Sequence, residues 1–269
     1  MKKELAEFFE SENIEYFAVL DFAHTRLINS ALMERESFTP RSAILFLLPY
    51  YAGECENLSR YAAARDYHLA IRGVTDRLIA KLSEIFPDSS AKGYGDHSPI
   101  DERDAALSAG LGILGDSGML INEKYGTYAF IADVITDISP EELGVDGIAM
   151  PHGRCISCGA CKSACPTGIL RGDATDCLSA ITQRKGDLTD SEVDLMRKCN
   201  TVWGCDLCQS VCPYNKDPKI TPISFFLEDR ITRLTSERLS EMSKAEFQER
   251  AFAWRGRKTV ERNLKLLDY

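Results

Sequence analysis

The residues best suited to chemistry are cysteines, gathered in two runs of the second half of the chain. The runs read Cys155-Ile-Ser-Cys158-Gly-Ala-Cys161-Lys-Ser-Ala-Cys165-Pro166 and Cys205-Asp-Leu-Cys208-Gln-Ser-Val-Cys212-Pro213. In the bacterial CxxCxxCxxxCP pattern, the first three thiolates hold one four-iron cluster and the fourth ligates a second cluster. Paired CxxC spacings also occur in zinc sites, but close thiolates that end in Cys-Pro, given twice, favour clusters. The spacing therefore predicts two [4Fe-4S] clusters side by side.

The same pattern assigns most of the ligands that two clusters need. One cluster would take Cys155, Cys158, Cys161 and Cys212, and the other would take Cys165, Cys205 and Cys208. The second run has one cysteine fewer than the first, so one ligand of the second cluster is missing. From spacing alone, Cys177 and Cys199 compete for this place.

Composition and charge indicate a cytoplasmic protein with two unlike halves. Ten cysteines among 269 residues argue for metal or redox work in that compartment, and nine of them lie at or after Cys155. The first residues include acids where a signal peptide needs an apolar stretch, and no apolar run is long enough to span a membrane. The net charge is −9, distributed as −12 over residues 1–150 and +3 over residues 151–269. An anionic partner would therefore meet the second half.

Hydrophobic periodicity predicts helices and strands for the first 150 residues. We expect a helix over Lys2–Ser11 and a longer amphipathic helix, ended by Pro87-Asp88, whose apolar positions from Tyr67 to Ile85 recur at intervals of three and four residues. Strands are expected over 14–20, 43–51, 119–121 and 127–135, the last two joined as a hairpin. The predicted architecture is a mixed sheet with helices packed on it.

Two further stretches hold polar or flexible residues that could form a site. Asp96 follows a Gly-flanked turn, where its carboxylate could cap the next helix or be held over a pocket. His68 and His97 could assist proton delivery or bond to backbone. The stretch from Gly110 to Gly118 is rich in glycine, which indicates tight turns or close approach of the backbone to a ligand.

Taken together, six motifs in this order resemble the epoxyqueuosine reductase family. They are Tyr61…Arg65-Asp-Tyr-His68, Asp96-x-x-Pro-x-x-Glu-Arg103, Ala-Gly-Leu-Gly-x-x-Gly115, Gly126-Thr…Ile135-Thr-Asp137, the CxxCxxCxxxCPTG run, and Trp-Gly-Cys205-Asp-x-Cys-Gln-x-Val-Cys-Pro. The resemblance covers about residues 40 to 220. The chain departs from the family's usual Gly-Trp-Ile-Gly-Lys-Asn, since it has Gly112-Ile-Leu-Gly-Asp116-Ser117.

The resemblance implies a cobalamin-dependent reductase with two [4Fe-4S] clusters, of the same broad kind as reductive dehalogenases. Electrons would pass from an external flavodoxin- or ferredoxin-type donor through both clusters to the corrinoid. Asp96 matches the family's proton donor, and a carboxyl group shielded by a flat macrocycle keeps its proton more readily. The resemblance also places the remaining cluster ligand at Cys177. The positions that match corrinoid-contacting segments are Tyr61, Gly115, Asn122 and Asp206.

The resemblance further implies an α+β fold in three parts. Residues 1–145 would form a nitroreductase-related, cobalamin-binding α/β domain, residues 146–220 a two-cluster bacterial ferredoxin-like domain, and residues 221–269 a helical tail. The sequence ends at Tyr269, so we expect it to lack the helical-repeat domain with which the family holds tRNA. The second half of the chain also carries a net charge of only +3, and affinity for nucleic acid grows with the number of phosphates that basic residues neutralise. Both features weigh against intact tRNA as the substrate.

Two other functions fit the same motifs. The chain could be an electron-transfer protein that docks a partner on its first domain, or a corrinoid-reactivating protein with no organic substrate. A proton donor is of no use to an electron carrier. The Asp96 region therefore distinguishes the enzyme from the carrier.

Overall fold

Six strands form the sheets of the protein, whose computed structural model describes residues 1–269. They are β1 Phe17–Asp21, β2 Ser42–Pro49, β3 Ala91–Tyr94, β4 Ile113–Leu114, β5 Leu120–Ile121 and β6 Ala129–Thr136. The main sheet has the order β1-β2-β6-β3, and β4 pairs with β5 separately. This confirms the predicted combination of helices with a sheet in the first half of the chain.

Every neighbouring pair in the main sheet is antiparallel, so the predicted mixed sheet was wrong. Apolar runs such as β2, in which every residue is buried, identify a strand without fixing its direction. The direction of a strand relative to its neighbours depends on how the chain returns to the sheet. Here β6 lies between β2 and β3, so long connections separate β6 from β2 and β3 in sequence. In this register Asp133 of β6 lies opposite Leu45 of β2 and Tyr94 of β3.

The predicted hairpin between residues 119–121 and 127–135 is present only as a single antiparallel bridge between Asn122 and Gly126. Both strands exist, but β5 pairs with β4, while β6 enters the main sheet. The turn between β4 and β5 is closed by the Gly118 N–H, which donates to the Gly115 carbonyl at 2.9 Å. Gly118 has φ +79°, a conformation that side chains other than glycine rarely adopt. Part of the glycine-rich stretch therefore serves a tight turn.

Four helices accompany this sheet: α1 Lys2–Ser11, α2 Ser30–Met33, α3 Tyr67–Ile85 and α4 Glu102–Ser108. The bounds predicted for α1 are confirmed, and α3 contains the predicted apolar positions from Tyr67 to Ile85 and ends before Pro87, although Ile85 is exposed. Helix α4 begins after Asp101, whose Oδ1 accepts from the Asp104 N–H at 3.1 Å. The helix packs against β6 and β2, which places its first turn next to the sheet.

The chain divides into two compact units that do not follow its order. The first unit contains Met1–Pro49 and His68–Ile156, and the second contains Tyr50–Tyr67 and Ser157–Tyr269. Residues 50–67 join the second unit through backbone bonds such as Ser59 N–H to Trp203 O at 2.8 Å. The three-part division predicted at residues 145 and 220 stays a prediction, and the segment 50–67 was not foreseen in the second half.

The second unit is built from short helices around the cysteine runs. They are α5 Ala160–Ala164, α6 Leu178–Gln183, α7 Asp190–Lys198, α8 Leu207–Ser210, α9 Ser224–Leu227, α10 Ser236–Glu241, α11 Lys244–Gln248 and α12 Arg257–Leu266. Single 3₁₀ turns occur at Phe22–His24, Arg60–Ala62, Ile169–Arg171, Pro213–Asn215 and Ala253–Arg255. Asn263 of α12 is fully buried and donates to the carbonyls of Thr182 and Val202, which fixes α12 to the rest of the unit. None of the helices combines the length and apolar character that crossing a bilayer requires.

Candidate metal centres and active-site residues

Three cysteines of the second unit lie close to one another. Helix α5 carries Cys161, helix α8 carries Cys208, and the two helices are in contact. Burial is the main reason that the pKa of Cys208 rises to about 11. Coulombic repulsion from Asp206, Cys165 and Cys161 adds to this rise, which shows that these thiols are neighbours.

Cys165 has surroundings that favour a thiolate. Its side chain is buried, which by itself would raise the pKa. The backbone N–H groups of Leu170, Thr167 and Gly168 bond to its sulfur and bring the pKa below the usual value. Such N–H donors stabilise negative charge on sulfur and are typical around cluster ligands.

Cys205 has two other thiols, Cys208 and Cys199, as neighbours. Burial mainly raises its pKa to about 12, and Cys208, Asp206 and Cys199 contribute. Cys199 and Cys205 also pack against the same small core of Leu178, Ile181 and Met196. Cys199 therefore has a position from which it could compete for the eighth ligand place.

Cys177 is held at the start of helix α6. Its sulfur accepts from the Ala180 N–H at 3.4 Å, so it serves as the N-cap of this helix. The core of Leu178, Ile181 and Met196 begins one residue later. Both candidates for the eighth ligand thus border the same core, and the choice between Cys177 and Cys199 stays a prediction.

The remaining predicted ligands divide between the units. Cys155 belongs to the first unit, where its sulfur accepts from the Asp116 N–H at 3.3 Å. Cys158, which is exposed, and Cys212 belong to the second unit. No group of three His, Cys, Asp or Glu side chains could hold a single metal ion. The contacts among Cys161, Cys165 and Cys208 fit a larger group held by several thiolates.

Asp96 lies on a turn between β3 and α4. Its φ of +61° is uncommon for a residue with a side chain, although Asp and Asn tolerate it better than most. The carboxylate is half-exposed, and its Oδ2 lies 3.9 Å from His68 Nε2. An open cleft of about 500 Å³, lined by residues of α3 and β3 together with His97, borders this turn. The structure therefore brings Asp96 together with His68, and Asp101 takes the capping role.

Tyr61 and Asp206 are fixed within the second unit. The Tyr61 hydroxyl accepts from Trp203 Nε1 at 3.0 Å, and its partly exposed ring meets Tyr67 edge-on. The Asp206 carboxylate accepts from Ser59 Oγ at 2.5 Å and from the Arg60 N–H at 2.7 Å. A partly exposed aromatic ring of fixed orientation suits contact with a flat ligand.

Gly115 and Asn122 mainly support the first unit. A Cβ on Gly115 would lie 3.0 Å from Ile121 Cδ1 and 3.1 Å from the Met119 carbonyl, so the glycine permits tight packing of the β4–β5 turn. Asn122 is buried, donates to the Leu111 carbonyl and accepts from the N–H groups of Lys124 and Tyr125. Their corrinoid contacts stay predictions.

Two acids next to the Asp96 turn, the partly buried Glu102 and the buried Asp133, were not predicted as functional residues. Glu102 was noted only as part of a motif, and no role was predicted for Asp133. The available signal was an aspartate in the middle of an apolar strand, where a charge is costly.

Comparison with known families agrees with the placement of the cysteines. The model of the 4Fe-4S double cluster binding domain matches residues 154–215. These residues include both predicted cysteine runs. A double-cluster domain favours iron–sulfur clusters over the zinc alternative.

Similar proteins share one name. Epoxyqueuosine reductase of Staphylococcus aureus is 32% identical over 215 residues, which cover 76% of this chain and 54% of that protein. The protein of the same name from Gloeobacter violaceus is 31% identical over 226 residues, which cover 77% of this chain and 68% of that protein. The chain spans about half the length of several such relatives.

Solved structures with this name have a similar fold. An epoxyqueuosine reductase with an epoxyqueuosine-modified tRNA stem loop matches with TM-score 0.79 and 24% identity. The Bacillus subtilis epoxyqueuosine reductase with its catalytic aspartate loop swung out of the active site matches with TM-score 0.79 and 25% identity. Each match covers 99% of this chain and 80% of the other. With this fold and 31% identity over more than two thirds of the Gloeobacter protein, the chain belongs to the epoxyqueuosine reductase family.

Proposed function

We propose that the chain is an iron–sulfur and corrinoid-dependent reductase of the epoxyqueuosine reductase type. It would take electrons from an external donor of the flavodoxin or ferredoxin type. The observation that carries the proposal is the double-cluster match over residues 154–215 in a member of this family. When bound, the clusters and the corrinoid would supply an electron path and a strongly reducing centre.

The cluster ligands are proposed in two sets that follow the crossing pattern of the sequence. One set is Cys155, Cys158, Cys161 and Cys212, and the other is Cys165, Cys177, Cys205 and Cys208. The proximity of Cys165 to Cys208 is what the second set requires, and Cys161 of the first set also lies near Cys208, as expected for two neighbouring clusters. The N–H donors around Cys165 would hold its thiolate in place before and after metal binding.

The corrinoid would be held by a nitroreductase-related first domain, of the cobalamin-binding type, and by residues around Cys205. Tyr61 would present its ring, and Asp206 would keep Arg60 and Ser59 in position through their hydrogen bonds. The backbone of the turn from Gly115 to Asn122 would contribute the other contacts. Since the side chain of Asn122 is used internally, its role would be to shape this turn.

Asp96 is the proposed proton donor. Conversion of an epoxide to an alkene takes two electrons and two protons and releases the oxygen as water. The external donor provides the electrons, Asp96 provides one proton to the departing oxygen, and solvent provides the other. His68, 3.9 Å from the carboxylate, is placed to return a proton to Asp96 after turnover.

The proposed substrate is an epoxide on a modified nucleoside. The relative solved with an epoxyqueuosine-modified tRNA stem loop supports RNA as the carrier of this nucleoside. This differs from the expectation, based on the small positive charge of residues 151–269, that tRNA is not the substrate. The Bacillus subtilis relative with its catalytic aspartate loop swung out supports a mobile role for the Asp96 turn. A stem loop is accordingly the substrate to test first.

The proposal predicts that the reconstituted chain removes one oxygen atom from an epoxyqueuosine-modified stem loop. The assay contains cobalamin and a chemically reduced flavodoxin, and mass spectrometry of the RNA follows the loss of oxygen. Omission of cobalamin is the control and should abolish the conversion. Oxidation of flavodoxin without change in the RNA, and with no need for cobalamin, would contradict the proposal and favour an electron-transfer protein.

A further inference from the structure

Two acidic side chains, one buried and one partly buried, lie next to the Asp96 turn within the first unit. Asp133 lies in the middle of β6 and is fully buried, and Glu102 is the first residue of α4. Each carboxyl has one buried oxygen without a hydrogen-bond partner, Oδ2 of Asp133 and Oε1 of Glu102. A buried carboxylate oxygen without a donor is costly, so ionisation of both groups together is disfavoured.

The two acids hold opposite ends of the turn. The Asp96 N–H donates to the Glu102 carboxyl group. Ser98 Oγ donates to Asp133 Oδ1 at 3.2 Å, and Ser98 Oγ in turn accepts from the Ile100 N–H at 3.3 Å. The positive φ of Asp96 is therefore held by a contact of its own N–H and by a contact of Ser98, two residues later.

The charges that face this pair are acidic. Burial is the first cause that raises the pKa of Glu102 to about 8, and the charges of Asp133, Asp96 and Asp101 raise it further, against a smaller opposing effect of the hydrogen bond from the Asp96 N–H. Burial also raises the pKa of Asp133 to about 7, against a smaller opposing effect of the Ser98 hydroxyl. From β3, Tyr94 faces Asp133, and its own pKa is raised by burial, by Glu36 and by Asp133. The pair thus retains protons near neutral pH.

We propose that Glu102 and Asp133 are positioning residues for Asp96, which hold its turn in place as a protonated pair and release it when both ionise. Their role in positioning a proton donor rests on the function proposed for Asp96. The contacts of Glu102 and Asp133 with the turn are independent of that function. A turn held in one protonation state and released in the other would take two positions, and the charges of Glu102 and Asp133 would control the choice between them.

The sign of the pH effect follows from the direction of the pKa changes. The ordinary pKa values of Glu and Asp are 4.5 and 3.8, and folding raises the pKa of both Glu102 and Asp133. The stabilisation is therefore fully present below about pH 4 and is lost as the pH rises through about 7 to 8. The turn should therefore loosen progressively as the pH rises towards these values, and a further rise in pH should add little, because both carboxyls are then ionised whether the turn is held or released.

Infrared difference spectroscopy of the cluster-loaded chain tests the protonation. Between about pH 6 and about pH 9, the wild type should lose the carbonyl band of a buried protonated carboxyl group. Glu102→Gln and Asp133→Asn should each remove part of this band, whereas Asp104→Asn, a control on the same helix, should leave it unchanged. A wild type without such a band, or a band unaffected by both variants, would overturn the proposal.

Hydrogen exchange of a peptide spanning residues 93–101 tests the positioning. After correction for the intrinsic rate, exchange in the wild type should rise as the pH approaches about 7 to 8 from below, by roughly tenfold per pH unit for each carboxyl that ionises on opening, and should level off at higher pH. Glu102→Gln keeps an acceptor for the Asp96 N–H and should flatten this rise, while Glu102→Met removes the acceptor and should expose the turn at every pH. A wild-type profile that does not change with pH contradicts the proposal without any variant. The infrared and hydrogen-exchange measurements do not require turnover. If both give the expected results while the chain fails to convert the modified stem loop, the proposed function is contradicted and the positioning role of Glu102 and Asp133 is not.

Discussion

Replacement of Asp96 by asparagine is expected to lower kcat for oxygen removal by about 10²- to 10⁴-fold, the usual contribution of a positioned general acid. Asparagine has nearly the same shape and tolerates a positive φ as well as aspartate, so the turn at φ +61° should persist. What the variant loses is the proton. Rate measurement under single-turnover conditions with the modified stem loop would isolate the chemical step.

The interpretation of this variant depends on unchanged cofactors. Iron per chain and the cobalamin spectrum should equal those of the wild type, because Asp96 is proposed neither as a cluster ligand nor as a corrinoid contact. Asp104→Asn removes an acid from the neighbouring helix and should leave kcat unchanged. An Asp96→Asn variant as active as the wild type would rule out Asp96 as the donor and favour an electron carrier.

Replacement of Cys177 by serine is expected to remove one of the two clusters, about four irons per chain. The thiolate is the ligand that the proposal assigns to the second cluster, and serine is a poor substitute for it. Iron analysis and electron paramagnetic resonance of the reduced protein would count the clusters that remain. The cap of α6 should survive, since the serine hydroxyl can accept from the Ala180 N–H in place of sulfur.

Cys199→Ser is the matched control for this experiment. Cys199 packs against the same core as Cys205 and is the other candidate for the eighth ligand place, but the proposal assigns it to neither cluster. Its replacement should leave the iron content unchanged. The opposite result, loss of iron in Cys199→Ser and retention in Cys177→Ser, would reverse the assignment of the eighth ligand.

The sequence was most informative where chemistry requires a fixed spacing of residues. The two cysteine runs predicted a double-cluster domain, and the family model covers the same residues. Periodicity predicted α1 and α3 because an amphipathic helix carries its burial pattern within its own residues. The motif Asp96-x-x-Pro identified a turn that the structure places beside His68.

Features that depend on distant residues were not predictable. The direction of β6 and the pairing of β5 with β4 depend on which segments meet after long connections. The inclusion of residues 50–67 in the second unit rests on bonds to residues near Trp203, far away in sequence. Glu102 and Asp133 are neighbours only because α4 packs on β6, which no local pattern reveals.

Anaerobic reconstitution followed by cobalamin titration tests the central claim most directly. The account predicts about eight irons per chain, as two four-iron clusters require, and a shift of the cobalamin spectrum towards the base-off form on binding. Both quantities can be measured without knowing the substrate. Eight irons with no response of the cobalamin spectrum would contradict the reductase account and leave an electron-transfer protein with the fold of a reductase.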